Sequence, residues 1–400
     1  MRGDRGVMTS VVELPLRASS DRLRVLVVTE SFLPQVNGVT NSVRRVLEHL
    51  AAEGHAAELV APTGPESYAG FPVTHSRGAT LPFYKDFRIG IETRRRLRAV
   101  MQRFQPDVVH IASPATLGFQ AVKVAGELGI ASVAIYQTDL VGFAKRYAWG
   151  HSVPGGSAAA GALTRAIHGG VDRTLAPSTA SLVQLDRLGI ERTSLWPRGV
   201  DLEAFHPSRI DYGLRSRLSP RGETIVGYVG RLAPEKELGL LSHLARDDRY
   251  ALVLVGSGPE EQRLRALLPG AHFLGTLHGE ELGAAYASLD VFVHTGRHET
   301  FCQSAQEALA SGVPVVAPRQ GGPVDVIDDT VDGLLYTPGS GTELARHVGR
   351  LHEDPRLRRR MGRAARIAVA GRSWQSINDA LVTHYREVIA DRSRMRQRAA

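Results

Sequence analysis

The chain is predicted to fold as an α/β protein of two doubly wound parallel-sheet domains that face each other across a cleft. Three observations predict this. Short apolar runs alternate with amphipathic stretches along both halves, and that rhythm builds a parallel sheet with helices on both faces. The runs are continuously apolar, as strands buried on both faces are. Between the two trains lies WPRGVDLEAFHPSRIDYGLRSRLSPRG, residues 196–222, rich in Pro, Gly and charge, which reads as a linker.

The elements follow in order. Residues 24–29 (RVLVVT) read as a buried strand, and after the loop SFLPQVNG a helix carries Val43, Val46, Leu47 and Leu50 at helical spacing. Strands are expected at 57–61, 107–111 (DVVHI), 132–136 (SVAIY), 173–176 and 193–196, with a helix over 116–128. The second train starts at Thr224, with strands expected at 225–229, 250–255, 271–274, 291–294 and 313–317. Leu238, Leu241 and Leu244 mark its first helical stretch, and further helices are expected over 343–351, 355–370 and 374–389. The last of these is expected to cross back to the first domain. The organisation is therefore a loose leader (1–21), an N-terminal domain (22–196), a linker (197–223), a C-terminal domain (224–372) and a closing helix with a basic tail (373–400). The tail ADRSRMRQRAA is expected to be frayed and solvated.

Composition narrows the function. The chain has 400 residues and a formal charge of +8, which points to anionic partners or to an Arg-rich genome-wide bias. Nucleic acid is disfavoured, because no aromatic residues interleave with the basic positions. The single cysteine, Cys302, excludes an internal disulfide framework and suits a reducing cytoplasm. No apolar run reaches membrane-spanning length. Gly256-Ser257-Gly258 is followed by Glu261 where a dinucleotide fingerprint needs a small residue, so a nicotinamide enzyme is disfavoured. There is no Gly-Lys pair for a P-loop, no G-x-S-x-G, no H-E-x-x-H and no metal-ligand spacing.

Chemistry concentrates at the turns after strands, where ligands of doubly wound sheets sit. In GRHETFCQSAQEALASGVPVV, Glu299 and Glu307 bracket a helix start, and Thr300 and Gln303 stand at capping-box spacing. The segment reads either as an ordinary capped helix between solvated glutamates, or as a seat for an anion that also carries hydroxyls. Arg231 and Lys236, in GRLAPEKEL after another strand, read either as solvated helix-start residues or as a grip on phosphate. Gly38, in QVNGVT, permits close backbone approach at a third strand-to-helix turn. Finally, Ile91 to Phe104 (IETRRRLRAVMQRF) forms a basic amphipathic helix, with Leu97, Val100, Met101 and Phe104 on one face. It either packs on its own sheet or lies on an anionic membrane.

As an ordered set, NGV (37–39), DVVHI (107–111), RGVDLEAFHP (198–207), GRLAPEK (230–236) and the E-x7-E pair with EALASGVPVVA resemble the family 4 retaining glycosyltransferases of the GT-B fold. WPRGVD, YQTD and GRHETFCQ are most similar to its lipid-directed, GDP-mannose-dependent α-mannosyltransferases, among them the phosphatidylinositol mannosyltransferases. The resemblance implies transfer of a hexose to a hydroxyl of a glycolipid-type acceptor. A UDP-hexose-dependent enzyme acting on a polysaccharide precursor or natural product is the alternative, with a nucleotide-sugar 2-epimerase behind it. By the same resemblance, Arg231 and Lys236 hold the donor diphosphate, Glu299 contacts the hexose, and Glu307 holds the ribose hydroxyls. Cys302, Gln303 and Ser304 offer backbone N–H groups to the phosphates, and Gly38 lies at the cleft. Family members carry a His in a Phe-His-Thr motif where this chain has Tyr136-Gln137-Thr138-Asp139, which leaves Gln137 and Asp139 as acceptor-side candidates. No metal or other cofactor is implied. The enzyme is expected in the cytoplasm, at the inner face of the membrane.

Overall fold

The computed structural model describes residues 22–35, 37–81, 84–113, 115–137 and 156–399. The first domain contains β1 (Arg24–Val28), β2 (Ala56–Ala61), β3 (Ser67–Tyr68), β4 (Phe71–His75), β5 (Arg77–Leu81), β6 (Tyr84–Ile91), β7 (Val108–Ile111), β8 (Ala131–Ile135), β9 (Arg173–Ala176) and β10 (Thr193–Leu195). Its main sheet runs β10-β9-β8-β7-β1-β2-β4-β3, parallel except where the short β3 turns back along β4. β5 and β6 form a separate antiparallel hairpin. The second domain contains β11 (Thr224–Val229), β12 (Tyr250–Val255), β13 (His272–Gly275), β14 (Val291–Val293), β15 (Val315–Pro318) and β16 (Gly333–Tyr336), in the order β13-β12-β11-β14-β15-β16. The domains have separate cores. Val25, Val27, Leu47 and Val133 lie in one, and Ile225, Val253, Phe292 and Val315 in the other.

Both sheets reverse direction of growth once, between β1 and β7 in the first and between β11 and β14 in the second. Such switch points open a crevice beyond the carboxyl ends of the strands. The turns after β1, β11 and β14 therefore define where a ligand can sit, and the singled-out residues Gly38, Arg231, Lys236 and Glu299 lie on them.

The Trp374–Ala399 helix crosses back onto the first domain. Trp196 donates its indole N–H to the Ile377 carbonyl at 2.8 Å, and Asn378 donates to the Arg45 carbonyl at 3.0 Å. The buried His110 ring and the Tyr385 hydroxyl meet at 2.5 Å. The expected frayed tail is instead helical to Ala399. Arg392 donates to the Gly129 carbonyl and pairs with Asp172 at 2.6 Å, and Arg396 donates to the same carbonyl at 2.8 Å. Acceptors on the first domain are what order these arginines.

The basic helix also departs from expectation. It runs Arg94–Phe104, because Ile91 closes strand β6 and Thr93 caps the N-terminus. Leu97, Val100 and Met101 are buried in the domain's own core. The apolar face is thus spent on the fold and is not free to insert into lipid. Arg94, Arg96, Arg98 and Arg103 each pair with a carboxylate, of Glu127, Glu92, Glu127 and Glu58 respectively. No helix among the described residues is long and apolar enough to cross a membrane.

Val200, Phe205 and Leu218 of the linker are buried with the second core. The Tyr212–Leu218 helix is tied to that domain by Arg215, whose Nη2 donates to both Asp290 oxygens at 3.2 Å and whose Nη1 donates to the Ser288 carbonyl at 2.7 Å.

Candidate active site

The site is built on the carboxyl edge of the second sheet. After β11 the chain turns through Gly230 and presents Arg231, then forms the single 3-10 turn Pro234–Lys236. The turn after β12 packs on it backbone to backbone. Gly256 has φ 129°, and a Cβ there would lie 2.0 Å from the Gly230 carbonyl oxygen, so only glycine fits. Arg231 is half-exposed, with Glu235 3.7 Å from its guanidinium. Lys236 stands at the end of its 3-10 turn and not at a helix N-terminus, so no macrodipole opposes its positive charge. Its ammonium is instead bonded to the Glu299 carboxylate.

After β14 come His294, Thr295, Gly296 and Glu299. The Thr295 hydroxyl bonds to the Lys236 carbonyl, which joins the two turns. The Glu299 backbone is cradled by Gly321 and Gly322. The Gly322 amide donates to the Glu299 carbonyl at 2.8 Å, and a Cβ on Gly322 would overlap the Phe301 carbonyl. Burial alone would raise the Glu299 pKa. The Lys236 charge, followed by His294, outweighs it and holds the carboxyl well below its ordinary range. For Lys236, burial acts to lower the pKa and Glu299 raises it, with a net rise. The result is an ion pair fixed in the charged state.

The helix that follows is Gln303–Ala310, headed by Cys302 at φ 122°. A non-glycine residue there stores strain of order 1–3 kcal/mol, which surrounding contacts must hold. The capping box suggested by the spacing does not form. Thr300 is displaced from the N-cap position, and its hydroxyl points at the Gln137 carbonyl, 3.5 Å away. Gln303 donates to the Gly199 carbonyl at 3.0 Å. Thr300 is recruited across the cleft and Gln303 to the linker, so no side chain caps the helix. Ser304 lies on that first turn. Glu307, one turn further, accepts from the Tyr286 hydroxyl at 2.9 Å. Burial pushes its carboxyl up to about 7, against the lowering effect of bonds from Tyr286 and Gln303.

From the first domain, the Gly38–Ala52 helix starts at the cleft. Asn37 caps it, accepting from the amides of Val39 and Thr40 at 3.0 Å, so those two amides are engaged by the chain itself. The Gly38 carbonyl accepts from Arg198 at 2.7 Å, and the second arm of Arg198 reaches the Gln137 side-chain oxygen at 2.6 Å. The Arg198 carbonyl in turn accepts from Gln306 at 2.8 Å. Arg198 thus joins Gly38, Gln137 and the donor-side helix in one network. Burial lowers its pKa to about 10, which keeps it charged at neutral pH. Asp139 lies outside the described residues. A second bridge closes the far side, where Asp325 accepts from the Thr179 amide at 2.9 Å and its hydroxyl at 2.6 Å.

Arg231, Lys236, Glu299, Cys302, Gln303, Ser304 and Glu307 thus share one edge of the second sheet, with Gly38 and Gln137 facing them. Sequence reasoning missed Arg198 and His294 as site residues. Arg198 stands in a Pro- and charge-rich linker, where a basic residue carries no signal of its own. His294 closes an apolar run and read as the last residue of a strand. The signal available for Arg198 was its place at the head of the RGVDLEAFHP motif, and for His294 its place just before GRHETFCQ. Away from this site, His49, Glu53 and Asp379 bring three ligating side chains together where the Gly38–Ala52 helix ends against the C-terminal helix.

A two-domain parallel-sheet enzyme with cations, a helix N-terminus and two carboxylates at its switch point is a nucleotide-sugar transferase in class. The family is shown by comparison. The glycosyltransferase family 4 profile matches residues 36–204, and the glycosyl transferases group 1 profile matches residues 214–368. The chain is 47% identical over 374 residues to a GDP-mannose-dependent α-mannosyltransferase of Mycobacterium tuberculosis, covering 92% of this chain and 97% of the relative. It is 42% identical to a protein of the same name from Corynebacterium glutamicum, covering 92% and 90%. Among solved structures, the Anabaena protein HepE in complex with UDP-glucose superposes with a TM-score of 0.73 at 19% identity, covering 92% of this chain and 100% of that one, a likeness of fold. The chain belongs to glycosyltransferase family 4 and is a hexosyltransferase of the GT-B fold. That removes the epimerase alternative.

Proposed function

We propose that this enzyme transfers mannose from GDP-mannose, with retention at the anomeric carbon, to a hydroxyl of a glycolipid-type acceptor at the cytoplasmic face of a membrane. One observation carries the reading: relatives named GDP-mannose-dependent α-mannosyltransferase match over nearly their whole length. In this reading the diphosphate lies against Arg231, Lys236 and the amides of Cys302, Gln303 and Ser304. Glu299 takes hydroxyls of the hexose and Glu307 those of the ribose. The acceptor hydroxyl enters from the Gln137 side and attacks the anomeric carbon on the face the diphosphate leaves. The C–O bond to the acceptor forms as the bond to the diphosphate breaks, and the hydroxyl proton passes to the leaving diphosphate oxygen. The protein's part is to stabilise charge growing on that oxygen, so fixed cations and amides serve and no metal is needed. Membrane contact in this reading is electrostatic, through exposed arginines such as Arg95, since the apolar side of their helix is buried.

The test is transfer by the full chain from GDP-mannose and from UDP-glucose, presented with vesicles containing diacylglycerol glycolipids or phosphatidylinositol. Mannosylated lipid formed from GDP-mannose is expected. Turnover of UDP-glucose with none of GDP-mannose overturns the donor assignment, and mannosylation of only water-soluble acceptors overturns the lipid one.

A further inference from the structure

We infer that His294 is a positioning residue for Glu299: its ring and the Lys236 ammonium share one carboxylate oxygen, Oε1, so that Oε2 is presented to the donor hexose. The inference rests on the reading of Glu299 as a sugar-binding carboxylate.

His294 follows β14 directly and is 2% exposed. Its Nε2 lies 3.5 Å from Glu299 Oε1, the same atom that Lys236 Nζ contacts. Neither ring nitrogen has a hydrogen bond of normal geometry to any other described group. Buried polar atoms are seldom left so, and a carboxylate this close is the partner that satisfies Nε2. The ring lies nearly parallel to that of Tyr228, with centroids 6.4 Å apart and planes 21° from parallel, and the His294 backbone is held by the Tyr336 hydroxyl, which donates to its carbonyl at 3.1 Å. Gly296 keeps the gap open. A Cβ there would stand 3.3 Å from Nε2 and 3.4 Å from the Lys236 Cα, pressing both.

A carboxylate held by a lysine alone can pivot about the single ammonium, because a lysine is a point charge on a flexible stem. A second donor on the same oxygen removes that freedom. Oε1 then carries the two cations, while no described group bonds Oε2. The groups facing His294 are Glu299 on its own loop, Cys302 at the head of the next helix, Lys236 across Glu299, and the Tyr228 hydroxyl of β11. Burial works against a charged ring, while Cys302 and Glu299 favour it, and the net effect raises its pKa to about 10.

A double-mutant cycle tests this with His294→Leu, Glu299→Gln and the double variant, read as kcat and donor KM. The donor is whichever nucleotide sugar the wild type turns over, so a wrong choice of GDP-mannose leaves the test intact. Expected is a loss of about ten-fold or more in kcat for His294→Leu, shrinking to less than about two-fold in the Glu299→Gln background. His294→Gln, which can offer an amide N–H toward Oε1, recovers most of the loss. Binding of that donor's nucleoside diphosphate alone (GDP or UDP), measured by calorimetry, stays within about three-fold of wild type, because it lacks the sugar that Glu299 serves. Equal losses in both Glu299 backgrounds, or no recovery with Gln, overturn the proposal. So does a nucleoside diphosphate affinity that falls with kcat, which marks a structural defect.

Discussion

Replacing Arg198 with Met tests whether the residue serves the fold or the alignment of the cleft. Arg198 is 8% exposed and bonds the Gly38 carbonyl at 2.7 Å and the Gln137 side chain at 2.6 Å. Its acceptors are neutral oxygens, and no carboxylate pairs with it among the described residues. Hydrogen bonds to a charged group are worth about 1.5–3 kcal/mol each, so losing both forfeits about 3–6 kcal/mol. Against this, burial has driven the guanidinium from 12.5 to about 10, a displacement worth about 3 kcal/mol, which a neutral side chain of similar length recovers. The net destabilisation is therefore small, about 0–3 kcal/mol.

Function is expected to suffer more. Without Arg198, the Gly38 carbonyl and the Gln137 side chain lose their hydrogen bonds to the linker, whose Arg198 carbonyl accepts from the donor-side helix. A loss of 10- to 100-fold in kcat/KM is expected, equivalent to about 1.4–2.7 kcal/mol of barrier. Arg198→Lys, which keeps the charge but cannot reach both oxygens, should fall between. The assays are urea unfolding for stability and initial rates of hexosyl transfer for kcat/KM. A kcat/KM within about two-fold of wild type, in a variant that unfolds normally, would refute the positioning argument.

Three further outcomes follow from the same geometry. Arg231→Ala should lower kcat by about 10²–10³, the usual cost of one preorganised donor, without moving the melting temperature. Its contact with Glu235 at 3.7 Å is half-exposed and contributes little to stability, so near-normal kcat at saturating donor contradicts its role. Because burial places the Glu307 carboxyl at about 7, donor affinity should weaken as pH falls from 8 to 6 in the wild type and lose that dependence in Glu307→Gln. Calorimetric titration of the donor at both pH values decides it, and a flat wild-type profile counts against ribose binding. Glu30 is wholly buried and accepts from the Leu117 amide at 2.6 Å, and burial raises it from 4.5 to about 8 against that bond. A carboxyl raised in the folded state contributes its full stability below pH 4.5, and the contribution is lost as pH rises to about 8. Glu30→Gln should match the wild type in urea at pH 4.5 and exceed it by about 5 kcal/mol at pH 8.5, and equal stability at the higher pH refutes the buried, neutral carboxyl.

Most of the parallel strands were legible from short apolar runs that alternate with helical stretches, and β9 and β12 span the residues expected. The stretch from β3 to β6 was not. Ser67–Tyr68, FPVTH and RGATL mix Gly, Pro and polar residues, as edge strands and hairpins do, and their partners are chosen by tertiary pairing. β16 (GLLY) is too short to show a period. The capping box failed for a related reason. Spacing proposes that Thr300 and Gln303 bond their own helix, while the folded chain offers them the Gln137 and Gly199 carbonyls.

The site divides along the same line. Residues after β11 and β14 were found because ligands of doubly wound sheets sit beyond the carboxyl ends of strands, and the turns there can be read without the strand order. Arg231 and Lys236 are separated from Glu299 by more than sixty positions in sequence, yet their strands are neighbours, so reading both turns brings the groups together. Arg198, His294 and Glu30 became visible only with coordinates, because each acts through an atom that no local pattern marks. For Arg198 that atom is the Gly38 carbonyl, for His294 it is one oxygen of Glu299, and for Glu30 it is the Leu117 amide. Residues that touch the ligand recur at strand ends and can be read by position. Residues that hold those groups in place are chosen by packing, which is why the cycle on His294 and the substitution of Arg198 probe what the motif alone leaves out.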